Sequence, residues 1–340
     1  MTEPQITIVG GGVAGLCLAA ELAERGVSLR IFDRYGRPAE HGCSWWAGGM
    51  LAPFCESEAA EEPVVRLGQE AAGWWQRHNV NVERNGSLVL ALSRDGGELD
   101  RFARRTDQHE WVDADGVAAL EADLAGRARR GLFFPTEAHL SPRDALACLV
   151  GELESRNITI ETADGLDFPD NDNQAALPTK VRKIDCRGLS ASDAMQDLRG
   201  VKGEMLVIRS ADIRLSRPVR LLHPRIPIYL VPRGDGVFML GATQIESGNR
   251  QAASVRSVLE LLSAAYALHP AFGEAEILEI GVDARPAFPD NLPRIRRRGD
   301  RLYVNGLFRH GFLLAPAMAR MTADYLLSGQ TPEVMDENLN

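Results

Sequence analysis

A strand, a glycine-rich turn, a helix and a second strand ending in an acid fill the first 33 residues, and few folds accept that order. Ile6-Thr-Ile-Val9 reads as a buried strand and Gly10-Gly11-Gly12 as the turn after it. Leu16, Ala19, Ala20 and Leu22 keep helical spacing up to Gly26, a C-terminal cap. Ser28 to Phe32 is the next strand, closed by Asp33. In Gly10-x-Gly12-x-x-Gly15 each glycine has a task. Gly10 permits the tight turn, Gly12 lets backbone approach a pyrophosphate, and Gly15 brings the helix onto the sheet. The helix start offers amide donors and positive potential to phosphates. Asp33, 18 residues beyond Gly15, can accept hydrogen bonds from a ribose diol. The segment reads as a dinucleotide site, against a plain glycine-rich turn without ligand.

Downstream, residues 58–79 carry a helical pattern, and the texture changes at Gly86. Ser87 to Leu92 and Gly131 to Phe134 read as strands, and Ser141-Pro142 announces a helix with a Ser cap and Pro in its first turn. Ile158 to Ile160 and Val181 to Cys186 resemble further strands, with Asp164 to Gln174 a loop. Between 201 and 284 strand-like runs dominate around one helix, about Ala253 to Leu268. Leu302 to Val304 and a helix from Ala315 to Leu327 follow. The expected class is α/β: a Rossmann-like nucleotide-binding domain (1–85, 140–200 and 285–340) interleaved with a mostly antiparallel β-sheet domain (86–139 and 201–284).

Composition removes other classes. The net charge of −9 gives no basic footprint for nucleic acid. The local run Arg294 to Arg298 is followed by Gly299-Asp300 and is read as a solvated turn. Five scattered cysteines, Cys17, Cys43, Cys55, Cys148 and Cys186, have neither disulfide-framework nor metal-ligand spacing, so free thiols and no metal are expected. No signal peptide or membrane span is legible, and the cytoplasm is the expected location. No Ser-His-Asp or HExxH constellation appears. His78, His109, His223 and His269 have no partner pattern and are read as surface or loop residues.

Four further segments carry a resemblance. They are Ser44-Trp-Trp-Ala-Gly48-Gly49-Met50-Leu-Ala-Pro53, Arg199-Gly-Val-Lys-Gly203-Glu204, Tyr229-Leu-Val-Pro-Arg233 with Gly241-Ala-Thr243, and a C-terminal pair. That pair is Gly281-Val-Asp-Ala-Arg285-Pro286 and Gly306-Leu-Phe-Arg309-His310-Gly311-Phe-Leu-Leu-Ala-Pro316. In this order the chain resembles the FAD-dependent D-amino-acid oxidase superfamily, and within it the glycine oxidases of the thiamine-biosynthetic (ThiO) type. It departs from them in Asp33, where many relatives carry Glu, in a shorter stretch before Cys186, and in Pro227, where some glycine oxidases have His.

The resemblance implies non-covalent FAD. With Gly10, Gly12 and Gly15, the residues Val13, Ala14, Asp33 and Arg34 would line its adenosine and pyrophosphate. Cys43, Ser44, Gly48, Gly49 and Met50 would run beside the flavin. His310, Gly311, Phe312 and Leu313 would open a helix facing the flavin pyrimidine, where a helix N-terminus favours negative charge. Arg285 would clamp the carboxylate of a small amino acid, because a guanidinium fork fixes orientation as well as position. Tyr229 would be its hydroxyl partner and Arg309 a second donor at the entrance. The implied reaction is oxidative deamination of glycine or a similar amino acid, with dioxygen as acceptor and a place in thiazole synthesis for thiamine; a homo-oligomer is compatible with it. Trp45, Trp46, Tyr229 and Phe308 would wall a small pocket. Four alternatives stay open: a quinone- or carrier-linked amino-acid dehydrogenase, a tRNA-modifying FAD oxidoreductase, an NAD-linked dehydrogenase, and a silent FAD-binding module.

Overall fold

The computed structural model describes residues 6–163, 177 and 179–337; the loop expected from Asp164 to Gln174 lies outside them. β1 (Ile6–Val9), α1 (Val13–Glu24) and β2 (Leu29–Asp33) form the expected β-α-β unit. β1 is the hinge of a seven-stranded sheet, parallel to β2 on one side and to Lys183–Asp185 on the other. Arg301–Asn305, Arg294–Arg298, Met335–Glu337 and Ile160–Thr162 complete it. Strand order therefore reverses at β1, and a crevice opens where the glycine turn leaves its carboxyl end.

α1 is buried over nearly its whole surface, with Leu16, Leu18 and Leu22 fully enclosed. It packs against the last helix, Gly311–Ser328, and against Pro142–Ser155. A helix between two others and a sheet keeps little solvated face, so its sequence is apolar except for Glu21, buried against Arg25 and Trp74, and the exposed Glu24. Gly15 makes this packing possible. A Cβ there would lie 1.9 Å from the Gly10 carbonyl oxygen.

The second sheet has nine strands. It is antiparallel except where Val219–Leu222 runs parallel to Ser87–Ala91. Two long strands, Arg199–Arg209 and Glu276–Ala287, pair through most of their length and carry Gly203 opposite Asp283. The helix Val255–Leu268 covers this sheet, with Leu261, Ala265 and Leu268 in its core. A two-stranded ribbon, Met50–Leu51 with Ala138–His139, stitches the segment after Gly49 to the entrance of Pro142–Ser155. Among the described residues no helix is long and apolar enough to cross a membrane.

Four expectations are corrected. The helical pattern over 58–79 breaks into Glu62–Gly68 and Ala71–Arg77, the second and third of three short helices that begin with Pro53–Glu56. Gly68 ends the second, so close to the last helix that a Cβ would meet Leu313 Cγ at 2.8 Å. The run Arg294–Arg298 is a strand, not a solvated turn. Arg296 is 6% exposed and ion-paired with Asp197 at 2.7 and 2.8 Å and Asp336 at 2.6 Å. His78 is buried, its Nδ1 2.8 Å from Glu152 Oε2. Ser141 occupies the N-cap position, but its hydroxyl makes no capping hydrogen bond.

Candidate active site

The sequence-derived residues converge on one cavity of about 870 Å³. Gly10, Gly12, Val13, Ala14, Asp33 and Arg34 line one end. Cys43, Ser44, Gly48, Gly49 and Met50 line it along the loop, as do His310 to Leu313, Tyr229, Arg285 and Arg309. Gly15 does not reach the cavity; its task is the contact between α1 and the glycine turn.

At the first end the geometry fits a dinucleotide. Gly10 holds φ +108° beside the Cys186 carbonyl, where a Cβ would come within 2.5 Å, so the turn admits only glycine. Gly12, the N-cap residue of α1, has no side chain to cap the helix and no acid lies in its first turn, which leaves the positive end of the helix to an anion. Asp33 accepts the Gly11 and Tyr35 N–H groups, each at 2.8 Å, which fixes its carboxylate at the rim. Ser44 Oγ accepts the Val13 N–H at 3.1 Å and ties the downstream loop to the helix start.

At the other end the second sheet delivers the side chains. Arg285 projects over Gly203, where a Cβ would lie 2.3 Å from its guanidinium. Its one side-chain hydrogen bond runs to the Thr243 carbonyl at 3.2 Å, and no carboxylate is within ion-pair distance among the described residues. The neighbouring acid, Asp283, is taken by Arg250. Tyr229 lies between Gly48 and Gly241; a Cβ at those positions would meet its ring at 3.1 and 2.8 Å. Glycine on both sides is what admits the ring.

Trp45 and Trp46 both reach the cavity. Trp46 lies across Gly281 and donates Nε1–H to the Glu40 carbonyl at 3.0 Å. The Arg143 guanidinium sits 4.5 and 5.2 Å from the two indoles and is held by Glu279. Phe308 is buried against Val201 and Ala287 at φ +50°.

Arg309 is not a free donor. Its Nη2 lies 2.8 Å from Glu56 Oε2, and Arg220 pairs with the other oxygen of the same carboxylate. His310 Nε2 is 2.9 Å from Glu56 Oε2. Burial alone would raise the Glu56 carboxyl, but Arg309 and Arg220, with the His310 hydrogen bond, hold it well below the usual range. Glu56 and Arg220 both line the cavity, and neither was legible. The only signal for Glu56 is an acid following the apolar run Met50 to Cys55.

Comparison with known proteins follows the same outline. A model described as FAD dependent oxidoreductase matches residues 5–325. A Rhizobium etli protein provisionally named thiamine biosynthesis oxidoreductase ThiO is 52% identical over 327 residues, 96% of this chain and 97% of that one. The glycine oxidase of Bacillus licheniformis is 26% identical over 94% of this chain and 92% of its own. The crystal structure of glycine oxidase from Geobacillus kaustophilus superposes with a TM-score of 0.80 at 21% identity, covering 97% of this chain and 96% of that one.

Proposed function

The chain belongs to the FAD dependent oxidoreductase family, and from that premise we propose that it oxidises the amine of a small amino acid, glycine first among them. The observation that carries the reading is Arg285. A guanidinium held in the cavity with only a carbonyl for partner keeps most of its donors for a ligand. A carboxylate takes two of them in parallel, which fixes the Cα–H direction as well as the distance. The Tyr229 hydroxyl adds a donor from the hairpin strand Ile228–Pro232. Arg309, pinned by Glu56, keeps positive charge at the site without competing for the same carboxylate.

When bound, FAD supplies the two-electron acceptor for the hydrogen leaving Cα. The chain's residues bind, orient and exclude water. The amino acid loses hydride from Cα as its neutral amine becomes an imine, and water then releases ammonia. For glycine with dioxygen as acceptor the sum is glycine, O2 and H2O giving glyoxylate, NH3 and H2O2. The amide groups at the start of Gly311–Ser328, which opens on the cavity with no acid in its first turn, would favour negative charge on a reduced flavin held there. The 52% identity to a ThiO-named protein supports a place in thiamine biosynthesis.

Two measurements test this reading. A peroxide-coupled panel of glycine, sarcosine, D-alanine, D-proline and D-phenylalanine is expected to show kcat/KM falling as the side chain grows, because Trp46, Tyr229 and Phe308 crowd the cavity wall. Highest activity on D-phenylalanine contradicts the small pocket. We also propose that FAD is held without a covalent bond: Trp46 stands where relatives with attached flavin have His, and no Cys follows Cys186. Acid precipitation then leaves the flavin in the supernatant; a yellow washed pellet refutes it.

A further inference from the structure

Arg233 follows the hairpin strand Ile228–Pro232 and stands one layer behind the cavity, which it does not line. Its guanidinium donates to carbonyls alone: Gly48 at 2.6 Å, Leu140 at 3.2 Å, and more loosely Pro232 at 3.4 Å and Ala47 at 3.5 Å. No carboxylate lies within ion-pair distance of it among the described residues. Tyr229, Arg143 and Asp144 act on it from further off, in that order, and Arg143 is committed to Glu279. A buried cation is normally paired with an acid, so this arrangement calls for a reason.

The carbonyls it holds identify the task. Ala47 and Gly48 line the cavity, while Leu140 belongs to the opposite side of the ribbon, its N–H donating to the Gly49 carbonyl at 2.9 Å. One guanidinium from the second sheet thus clamps both sides of that junction. Burial draws Arg233 down to about 10, which leaves it protonated at neutral pH. Its charge is felt through the interior: His139 is driven to about 4 by burial and then by Arg233.

We propose that Arg233 is a positioning residue that fixes the Ala47–Gly49 loop and places a positive charge behind the cavity, unmatched by any carboxylate, favouring the cofactor in its reduced, negatively charged form. This rests on FAD occupying the cavity. Arg285, which lines the cavity without a carboxylate of its own among the described residues, is matched by the carboxylate of the substrate. Arg233 has no such partner among the described residues, and in a dry interior its field acts across several ångströms.

The test uses flavin-loaded Arg233→Met, Arg233→Lys and Arg233→Gln, with sulfite affinity and the flavin reduction potential as readouts. Both quantities report stabilisation of negative charge on the flavin and do not depend on turnover. Arg233→Met is expected to bind sulfite at least about tenfold more weakly, at a lowered potential. Arg233→Lys recovers most of the affinity, because it restores the charge without the fork. Arg233→Met holding FAD with wild-type sulfite affinity and potential overturns the proposal. Should that variant purify without flavin, the comparison passes to Lys against Gln: weaker sulfite binding in Gln supports the charge, and equal binding overturns it. Failure of the substrate assignment shows separately, as wild-type enzyme that binds sulfite but is not reduced by any amino acid.

Discussion

Arg285→Ala lowers kcat/KM for glycine by about one to two decades, because a lost charge-assisted, two-pronged contact costs roughly 1.5–3 kcal/mol. The flavin stays bound, since Arg285 touches the Thr243 carbonyl and the Gly203 backbone rather than the glycine turn or α1. Arg285→Lys recovers part of the loss; a point charge reaches the carboxylate but does not hold it in a plane. Steady-state kinetics beside the flavin-to-protein absorbance ratio check both halves. Unchanged kinetics in Arg285→Ala would move the carboxylate site elsewhere in the cavity.

Glu56→Gln is the most destabilising of the substitutions considered. It removes the acid from between two guanidiniums and an imidazole while keeping its shape. Breaking a buried pair leaves uncompensated charge, and we expect the low end of that range, about 3 kcal/mol, because Arg309 is partly solvated. The pH dependence has a definite sign. The folded-state pKa of Glu56 is lowered, so its contribution is present above the unfolded-state value and is lost as pH falls towards the folded one. Denaturant midpoints for wild type and variant should therefore differ most near neutrality and converge in acid. A constant difference across pH would mean that the Glu56 charge is not what stabilises the cluster. Activity falls as well, since Arg309 loses the anchor that aims it.

The parts of the molecule legible in the sequence are those whose signal is local. β1, α1 and β2 declare themselves through apolar period, three glycines and one acid within 33 residues. Arg285 and Tyr229 were found through family segments, not from any local rule. What escaped depends on contacts between distant positions. Glu56 meets Arg220 across 164 residues and His310 across 254, so no window of sequence contains the cluster. Arg296 was misread for the same reason: its acids, Asp197 and Asp336, lie 99 and 40 residues away, and without them an arginine run looks solvated. The helical pattern of 58–79 failed where Gly68 meets Leu313, a tertiary contact that periodicity cannot register.

The central claim is that the cavity holds FAD against an amino-acid site built around Arg285. Anaerobic addition of glycine to the purified holoenzyme tests it most directly, with the visible flavin band recorded before and after. The account predicts that the band bleaches within the turnover time and returns under air once the glycine is spent, with one peroxide formed per glycine oxidised. A flavin that stays oxidised under excess glycine, sarcosine and D-alanine alike would contradict it.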